Sequence, residues 1–461
     1  MRTLISGGTV VTAAAAHPAD VLVADGTIAA VALPGSHDWH PDRVIDATGR
    51  YVIPGGVDMH THMELPVSGT VSSDDFETGT RAAAWGGTTT IVDYAGQTRG
   101  RTLAEGLEAW KARAAGRACI DYGFHMMVTD VNPATLAEMA TMIDEGVTTF
   151  KLFTAYPGTN YSDDGRILEA MFAAADLGAT IMMHAENGIA IDVLRARALE
   201  RGETDPLFHL VTRPASLEAE AVHRVVTLAE VAECPLVVVH ISSADALDEV
   251  IRGRDRGLPV FAETCPQYLV LGIDDLPPGF DAARFVCSPP LRWRQEGHQE
   301  TLWAEIGTGR VDAVATDHCP FTWEQKQAGL GDFTRIPNGV GSVEHRMDLL
   351  HQGVVDGRIS LTTWIDVACT TPARLTGLYP RKGTIAPGSD ADLVVYDPTV
   401  PRVLGAASHH MNVDYSVYEG MAVTGRAEAV LLRGEPVIQD GSFVGRPSAG
   451  SYLERGPNAL A

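Results

Sequence analysis

The sequence predicts an α/β fold: a (β/α)8 TIM barrel with a small β-sandwich domain built from both chain ends. Three observations predict it. Eight apolar, strand-like runs alternate with helical stretches through the middle of the chain, short strand-like runs occupy both ends, and 461 residues suit a barrel with one accessory domain.

Residues 1–53 read as strands. TLISGGTVV, ADVLVADG and TIAAVAL follow one another, with Asp25-Gly26 placed for a two-residue hairpin turn. The barrel is expected over residues 54–378. Its eight runs are GVDMHTH (56–62), TTTIVDY (88–94), IDYGFHMMV (120–128), VTTFKLF (147–153), ATIMMHAE (179–186), PLVVVHIS (235–242), PVFAETC (259–265) and VDAVATDH (311–318). Each is apolar enough to be covered on both faces, as parallel strands wrapped by helices are. Between them SDDFETGTRAAAWG, TLAEGLEAWKARAAG and LEAEAVHRVVTLAEVAE read as helices. After the helix ending near PARLTGL the β pattern returns in GSDADLVVYDP and AEAVLLRGEPVIQDG, with Arg433-Gly434 as a second hairpin turn. Residues 379–445 are expected to pair with residues 1–53, and 446–461 read as a C-terminal extension. There is no internal repeat and no low-complexity tract.

Composition excludes several classes of function. Hydrophobic residues make up 45% and charged residues 20%, the balance of a soluble globular protein. No run approaches the roughly 20 apolar residues of a membrane span, and MRTLISGGTVV lacks the pattern of a signal peptide, so no membrane partner and a cytoplasmic location are expected. The formal charge of -24, without a basic run, argues against nucleic acid as a partner. The six cysteines have no paired spacing and are read as reduced thiols.

The chemistry is sought where barrel enzymes place it, at the C-terminal ends of the strands. His60 and His62 end the first run, Lys151 lies in the fourth, His184 near the end of the fifth, His240 of the sixth and Asp317 of the eighth. Residues two apart on a strand share a face, so His60 and His62 can grip one ion. A lone HxH is a common accident, and a lone strand-end histidine is more often structural than a ligand. Five such groups at one end of one barrel have no structural reason to gather there. Four imidazoles and a carboxylate suit zinc, or manganese or cobalt in its place. Five ligands exceed the demand of one zinc, and two metals would need a bridge that these residues alone do not supply. Lys151 as an ammonium cannot ligate. His125, His209 and His223 lack comparable placement and are read as structural.

These motifs resemble the cyclic amidohydrolases, specifically the hydantoinase/dihydropyrimidinase branch. GGVDMHTHMELP resembles the family's opening HxH motif, GGTTTIVDY its second strand, and KLFTAY its lysine strand. MMHAENG and VVHISSADALDEV resemble the two histidine strands, ETCPQYL the seventh strand, ATDHCPF the aspartate strand, and DADLVVYDP the returning sandwich segment. The resemblance runs over nearly the whole chain. It implies two divalent metal ions, zinc foremost, with Lys151 carboxylated by CO2 to bridge them. His60, His62 and Asp317 would hold one metal and His184 and His240 the other. A hydroxide shared by the metals would open a cyclic amide or imide, a dihydropyrimidine or 5-substituted hydantoin, to an N-carbamoyl amino acid, with Asp317 carrying the proton. The resemblance also implies that Tyr156 donates to the developing oxyanion, that the main chains of Ser288 and Asn338 bind the imide edge, and that Leu65 and Phe153 line the pocket for a ring substituent. It implies a homotetramer or a dimer.

Around this reading stand two others. An allantoinase would share the metals and differ in the loops PNGVG and CSPPLR; a non-catalytic scaffold related to dihydropyrimidinases would have lost ligands, whereas here every ligand position is filled. PVSGTVSS after the HxH motif and Thr154-Ala155 before Tyr156 depart from the bulkier residues of dihydropyrimidinases and leave the ring substituent open.

Overall fold

The computed structural model describes residues 1–67 and 69–461. β1 (Arg2–Val11), β2 (Ala16–Ala24) and β3 (Thr27–Ala32) form an antiparallel meander. Asp25 and Gly26 turn β2 into β3 with φ of 51° and 82°, the positive values that a tight hairpin with the natural strand twist requires. β4 (Arg43–Asp46) and β5 (Tyr51–Pro54) then pair with β1 in parallel.

β6 (Gly56–Thr61) opens the barrel, and a small hairpin of β7 (Pro66–Val67) and β8 (Thr70–Val71) follows it. The remaining barrel strands are β9 (Thr88–Gly96), β10 (Asp121–Met127), β11 (Thr149–Phe153), β12 (Thr180–His184), β13 (Leu236–Val238), β14 (Val260–Thr264) and β15 (Ala313–Val314). From β6 through β9 to β15 each strand lies beside the next in chain order, and all are parallel. β15 meets β6 through isolated bonds: the His62 N–H donates to the His318 carbonyl at 2.9 Å and the Thr316 N–H to Asp58 Oδ1 at 3.1 Å. The expected helices form between the strands, among them Phe76–Trp85, Leu103–Ala114 and Ala215–Ala232. Asp75 and Thr102 each cap a helix start through reciprocal bonds with the third residue of the helix.

Two strands are shorter than the sequence suggests. The runs at 235–242 and 311–318 contribute only Leu236–Val238 and Ala313–Val314. His240 and Asp317 sit at φ of 44° and 49°, the left-handed region through which an extended ladder cannot continue. The chain leaves the sheet at the point where those side chains have to be turned into the barrel mouth.

Inward-facing residues from alternate positions fill the barrel with a packed layer of Met59, Tyr94, Met127, Met182, Val237 and Phe261, so the interior is a core and not a pore. β16 (Leu393–Val403) returns antiparallel to β5 and joins the two chain ends in one nine-stranded sheet with β17 (Ala422–Leu432), β18 (Glu435–Gln439) and β19 (Ser442–Phe443). Its core is made by Ile5, Val21 and Val52 from the first end and Leu393 and Leu431 from the second. Arg433 and Gly434, at φ of 48° and 78°, turn β17 into β18 as expected. All six cysteines are buried free thiols. Among the described residues no helix is long and apolar enough to cross a membrane.

The last residues run under the barrel at the N-terminal ends of its strands. The Leu453 N–H donates to the Tyr122 carbonyl at 2.8 Å and the Arg455 N–H to that of Gly146 at 3.0 Å. Leu453 packs against Val57 and Val92. The buried Arg455 guanidinium donates to the carbonyls of Thr376 at 3.1 Å and Phe124 at 2.5 Å and to Thr149 Oγ1 at 2.9 Å. Replacing Arg455 by Ala would leave those acceptors unsatisfied in the interior. The expected loss of unfolding free energy is about 3 kcal/mol, read from a urea titration; a midpoint equal to wild type would show that the tail does not brace the barrel.

Candidate active site

At the C-terminal ends of the barrel strands the six ionisable groups singled out in the sequence come together. His60 is the penultimate residue of β6 and His62 lies just past its end, both aimed inward. Their Nε2 atoms each lie 3.1 Å from the same Asp317 oxygen, Oδ1. His60 Nδ1 meets both carboxylate oxygens of Glu263, in β14, at 3.0 Å. A carboxylate only accepts, so Glu263 holds a proton on Nδ1 and leaves Nε2 as the nitrogen that faces the barrel mouth. Lys151, in β11, places Nζ 2.9 Å from that Nε2 and 4.2 Å from the centre of the Tyr94 ring.

The second half of the site follows the same logic. His184 Nδ1 lies 2.9 Å from His240 Nε2, while His184 Nε2 donates to Glu186 Oε2 at 2.8 Å. Arg213 donates to that same Glu186 oxygen at 2.8 Å. The Glu186 bond fixes the His184 proton on Nε2 and turns the Nδ1 lone pair toward His240. The rings of His60 and His240 are 5.4 Å apart, so the two halves are adjacent. Within the buried site His62 Nδ1 and His240 Nδ1 have no hydrogen-bond partner among the described residues.

Electrostatics suit ligands. Burial brings His62 down to about 4 and lowers His184 and His240, so these imidazoles stay neutral, each with one nitrogen that bears a lone pair. Burial would raise Asp317, but His60 and His62 hold it well below the usual carboxylate range. Burial also opposes charge on His60, and Glu263 with Asp317 overcomes it and raises the imidazole. Lys151 is brought down to about 8 by burial. Lone pairs and a carboxylate buried face to face repel one another unless a cation lies between them, and imidazole with carboxylate is the donor set of zinc-type divalent ions. His60, His62 and Asp317 present one ligand atom each, all within 4.8 Å of one another. The residues therefore fit a metal centre.

Over the centre opens a cavity of about 520 Å³ lined by His62, Lys151, His184, His240 and Asp317 together with Leu65, Phe153, Tyr156, Ser288 and Asn338. Tyr156 holds φ of 64°, a strained value that throws its ring to 5.0 Å from His184 and 6.1 Å from Phe153. Burial raises its phenol, which stays a proton donor at neutral pH. Of the histidines read as structural, His125 bonds the Met59 carbonyl at 3.0 Å below the centre and His223 pairs with Glu249 on the surface. His209 bonds the Cys287 carbonyl at 2.9 Å and also lines the cavity wall. Sequence reasoning missed Glu263, Glu186 and Arg213. Glu186 carried a faint signal, since it stands two residues after His184 in MMHAENG; the others reach their partners only through the fold.

Residues 51–253 and 279–437 match the amidohydrolase family. The chain belongs to that family. This amidohydrolase is 59% identical to the D-hydantoinase of Streptomyces coelicolor over 98% of each chain, and 48% identical to that of Geobacillus stearothermophilus over 99% of this chain and 97% of that one. Its fold superposes on the crystal structure of dihydropyrimidinase from Brevibacillus agri with a TM-score of 0.97 at 45% identity, covering 99% of each chain. Amidohydrolases of this kind depend on a binuclear metal centre.

Glu263 aims His60, and second partners of this kind typically change metal affinity by about 10–100-fold. Glu263→Ala is expected to weaken metal retention by about that factor, measured by competition with a chromogenic chelator. Retention equal to wild type would show that Glu263 does not hold His60 in place.

Proposed function

We propose that this amidohydrolase opens the ring of a cyclic ureide, a 5-substituted hydantoin or a dihydropyrimidine, to an N-carbamoyl amino acid. The observation that carries it is the pairing of the six-residue centre with a cavity that is polar at Ser288 and Asn338 and apolar at Leu65 and Phe153. The D-hydantoinase and dihydropyrimidinase names of its relatives support the same reading. His60, His62 and Asp317 would hold one divalent ion and His184 and His240 a second, with Lys151 between them. Zinc is our assignment, with manganese or cobalt able to replace it. Lys151 near 8 offers a share of neutral amine at neutral pH, the form to which CO2 adds, and the resulting carbamate has the two oxygens that a bridge needs. When bound, the ions supply a Lewis acid for the ring carbonyl and a water of lowered pKa.

The protein's own groups do the rest. The main chains of Ser288 and Asn338 hold the imide edge, and Leu65 and Phe153 pack against the 5-substituent. As water adds to the ring carbonyl carbon, the carbonyl oxygen gains charge and the Tyr156 hydroxyl donates to it, a bond that strengthens in the transition state. Asp317 takes the water proton on a carboxylate oxygen and delivers it to the ring nitrogen as the carbon–nitrogen bond breaks. The buried walls keep other water from the reacting carbon. We place the enzyme in the cytoplasm as a homotetramer or dimer, with residues 1–53 and 379–445 as one domain, 54–378 as the barrel and 446–461 as its extension.

Two substitutions test the roles. Asp317→Asn is expected to cut kcat by about 10²–10⁴-fold with a small change in KM, and an effect confined to KM would make Asp317 a positioning group only. Lys151→Ala is expected to abolish ring opening, with partial recovery on adding short carboxylic acids that replace the lost bridge. Full activity in that variant would end the two-metal reading.

A further inference from the structure

Lys326 belongs to a short helix, Trp323–Lys326, that takes no part in the chemistry above. Its side chain is fully buried. The ammonium donates to three main-chain carbonyls, those of Val286 at 3.0 Å, Pro337 at 2.7 Å and Gly339 at 2.9 Å. All three of its protons are thereby used. Val286 stands two residues before Ser288, and Pro337 and Gly339 flank Asn338. One cation thus ties together the two loops assigned to the imide edge, while its own side chain stays out of the cavity lining.

The rest of the contact is equally close. The Gly339 N–H donates to the same Val286 carbonyl at 2.9 Å, and the Cys319 N–H, two residues past Asp317, donates to Val340 at 3.1 Å. Gly339 sits at φ of 144°, and a Cβ there would fall 2.2 Å from the Cys319 carbonyl oxygen, so only glycine lets the loop lie this near the eighth strand end. Among the described residues no carboxylate forms an ion pair with Lys326, and burial brings its ammonium down to about 7. A methionine of similar length would fill the space without that penalty. It would not hold three carbonyl oxygens whose dipoles repel one another.

We propose that Lys326 is a positioning residue for the substrate: by drawing these carbonyls together it sets the separation of the Ser288 and Asn338 loops, and so the width of the slot that receives the planar ring edge. The inference rests on the assignment of those two loops to the ring. It explains why a buried cation is kept at a place that the reaction never touches.

The test is Lys326→Met in the metal-loaded full chain, with kcat and KM for hydantoin and dihydrouracil, bound metal and thermal midpoint measured beside wild type. A slot that loses its width binds the ring poorly while the centre stays intact. KM is therefore expected to rise about 10-fold or more, with kcat within about threefold and metal content unchanged. A variant with wild-type KM and only a lower thermal midpoint or active fraction overturns the inference and leaves Lys326 as a staple of the fold. If the Met variant does not fold, Lys326→Gln, which keeps two donors, serves in its place; an intermediate KM supports the proposal and a wild-type KM overturns it. Wild-type enzyme that opens neither ring contradicts the loop assignment itself, whereas active wild type beside a variant of unchanged KM contradicts this inference alone.

Discussion

The structure depends on holding six ionisable side chains together where protein replaces most of their contact with solvent. Each buried charge costs several kcal/mol of lost hydration, and neutral ligands whose lone pairs converge repel one another. The barrel meets this by fixing the orientation of these groups through buried partners. Glu263 fixes the proton of His60, Glu186 that of His184, and Arg213 in turn secures Glu186. His240, Asp317 and Tyr156 are held at positive φ, a conformation that persists only where the surrounding fold over-determines it. All three stand at the C-terminal ends of the barrel strands, on the side where the cavity opens.

That rigidity is shared across the domains. β5 and β16 bind the two chain ends into one sheet beside the barrel, and the C-terminal residues cross the barrel floor to satisfy carbonyls that would otherwise be orphaned there. The packed layer of Met59, Tyr94, Met182 and Phe261 fills the space between floor and mouth. Displacement at any of these levels is passed upward to the six side chains, because close-packed interiors transmit small shifts.

Much of this is legible in the sequence. Strand ends are where barrels put chemistry, and a histidine or aspartate closing an apolar run is visible in one dimension, so His60, His62, His184, His240 and Asp317 could be gathered from spacing alone. The joining of the chain ends was likewise visible in two β-rich segments enclosing an alternating middle. Strand length was harder to read, since PLVVVHIS and VDAVATDH are apolar throughout and nothing in composition marks the residue at which φ changes sign. Glu263, Arg213 and Lys326 were invisible for another reason. Each acts on a partner at least 27 residues away in the chain or on bare carbonyls, contacts that leave no periodic trace. The tail SAGSYLERGPNALA carries the polar, glycine-rich composition of a loose end, and only the fold reveals what Arg455 reaches.

The central claim is that this centre opens a cyclic ureide ring. The most direct measurement is kcat/KM for dihydrouracil, hydantoin, a 5-aryl hydantoin and allantoin, compared side by side on protein produced with zinc and bicarbonate and assayed for bound metal. The proposed activity requires two metal ions per chain and ring opening of the hydantoins or dihydrouracil at rates well above that of allantoin. Fully metallated protein that prefers allantoin, or opens none of the rings, would contradict it.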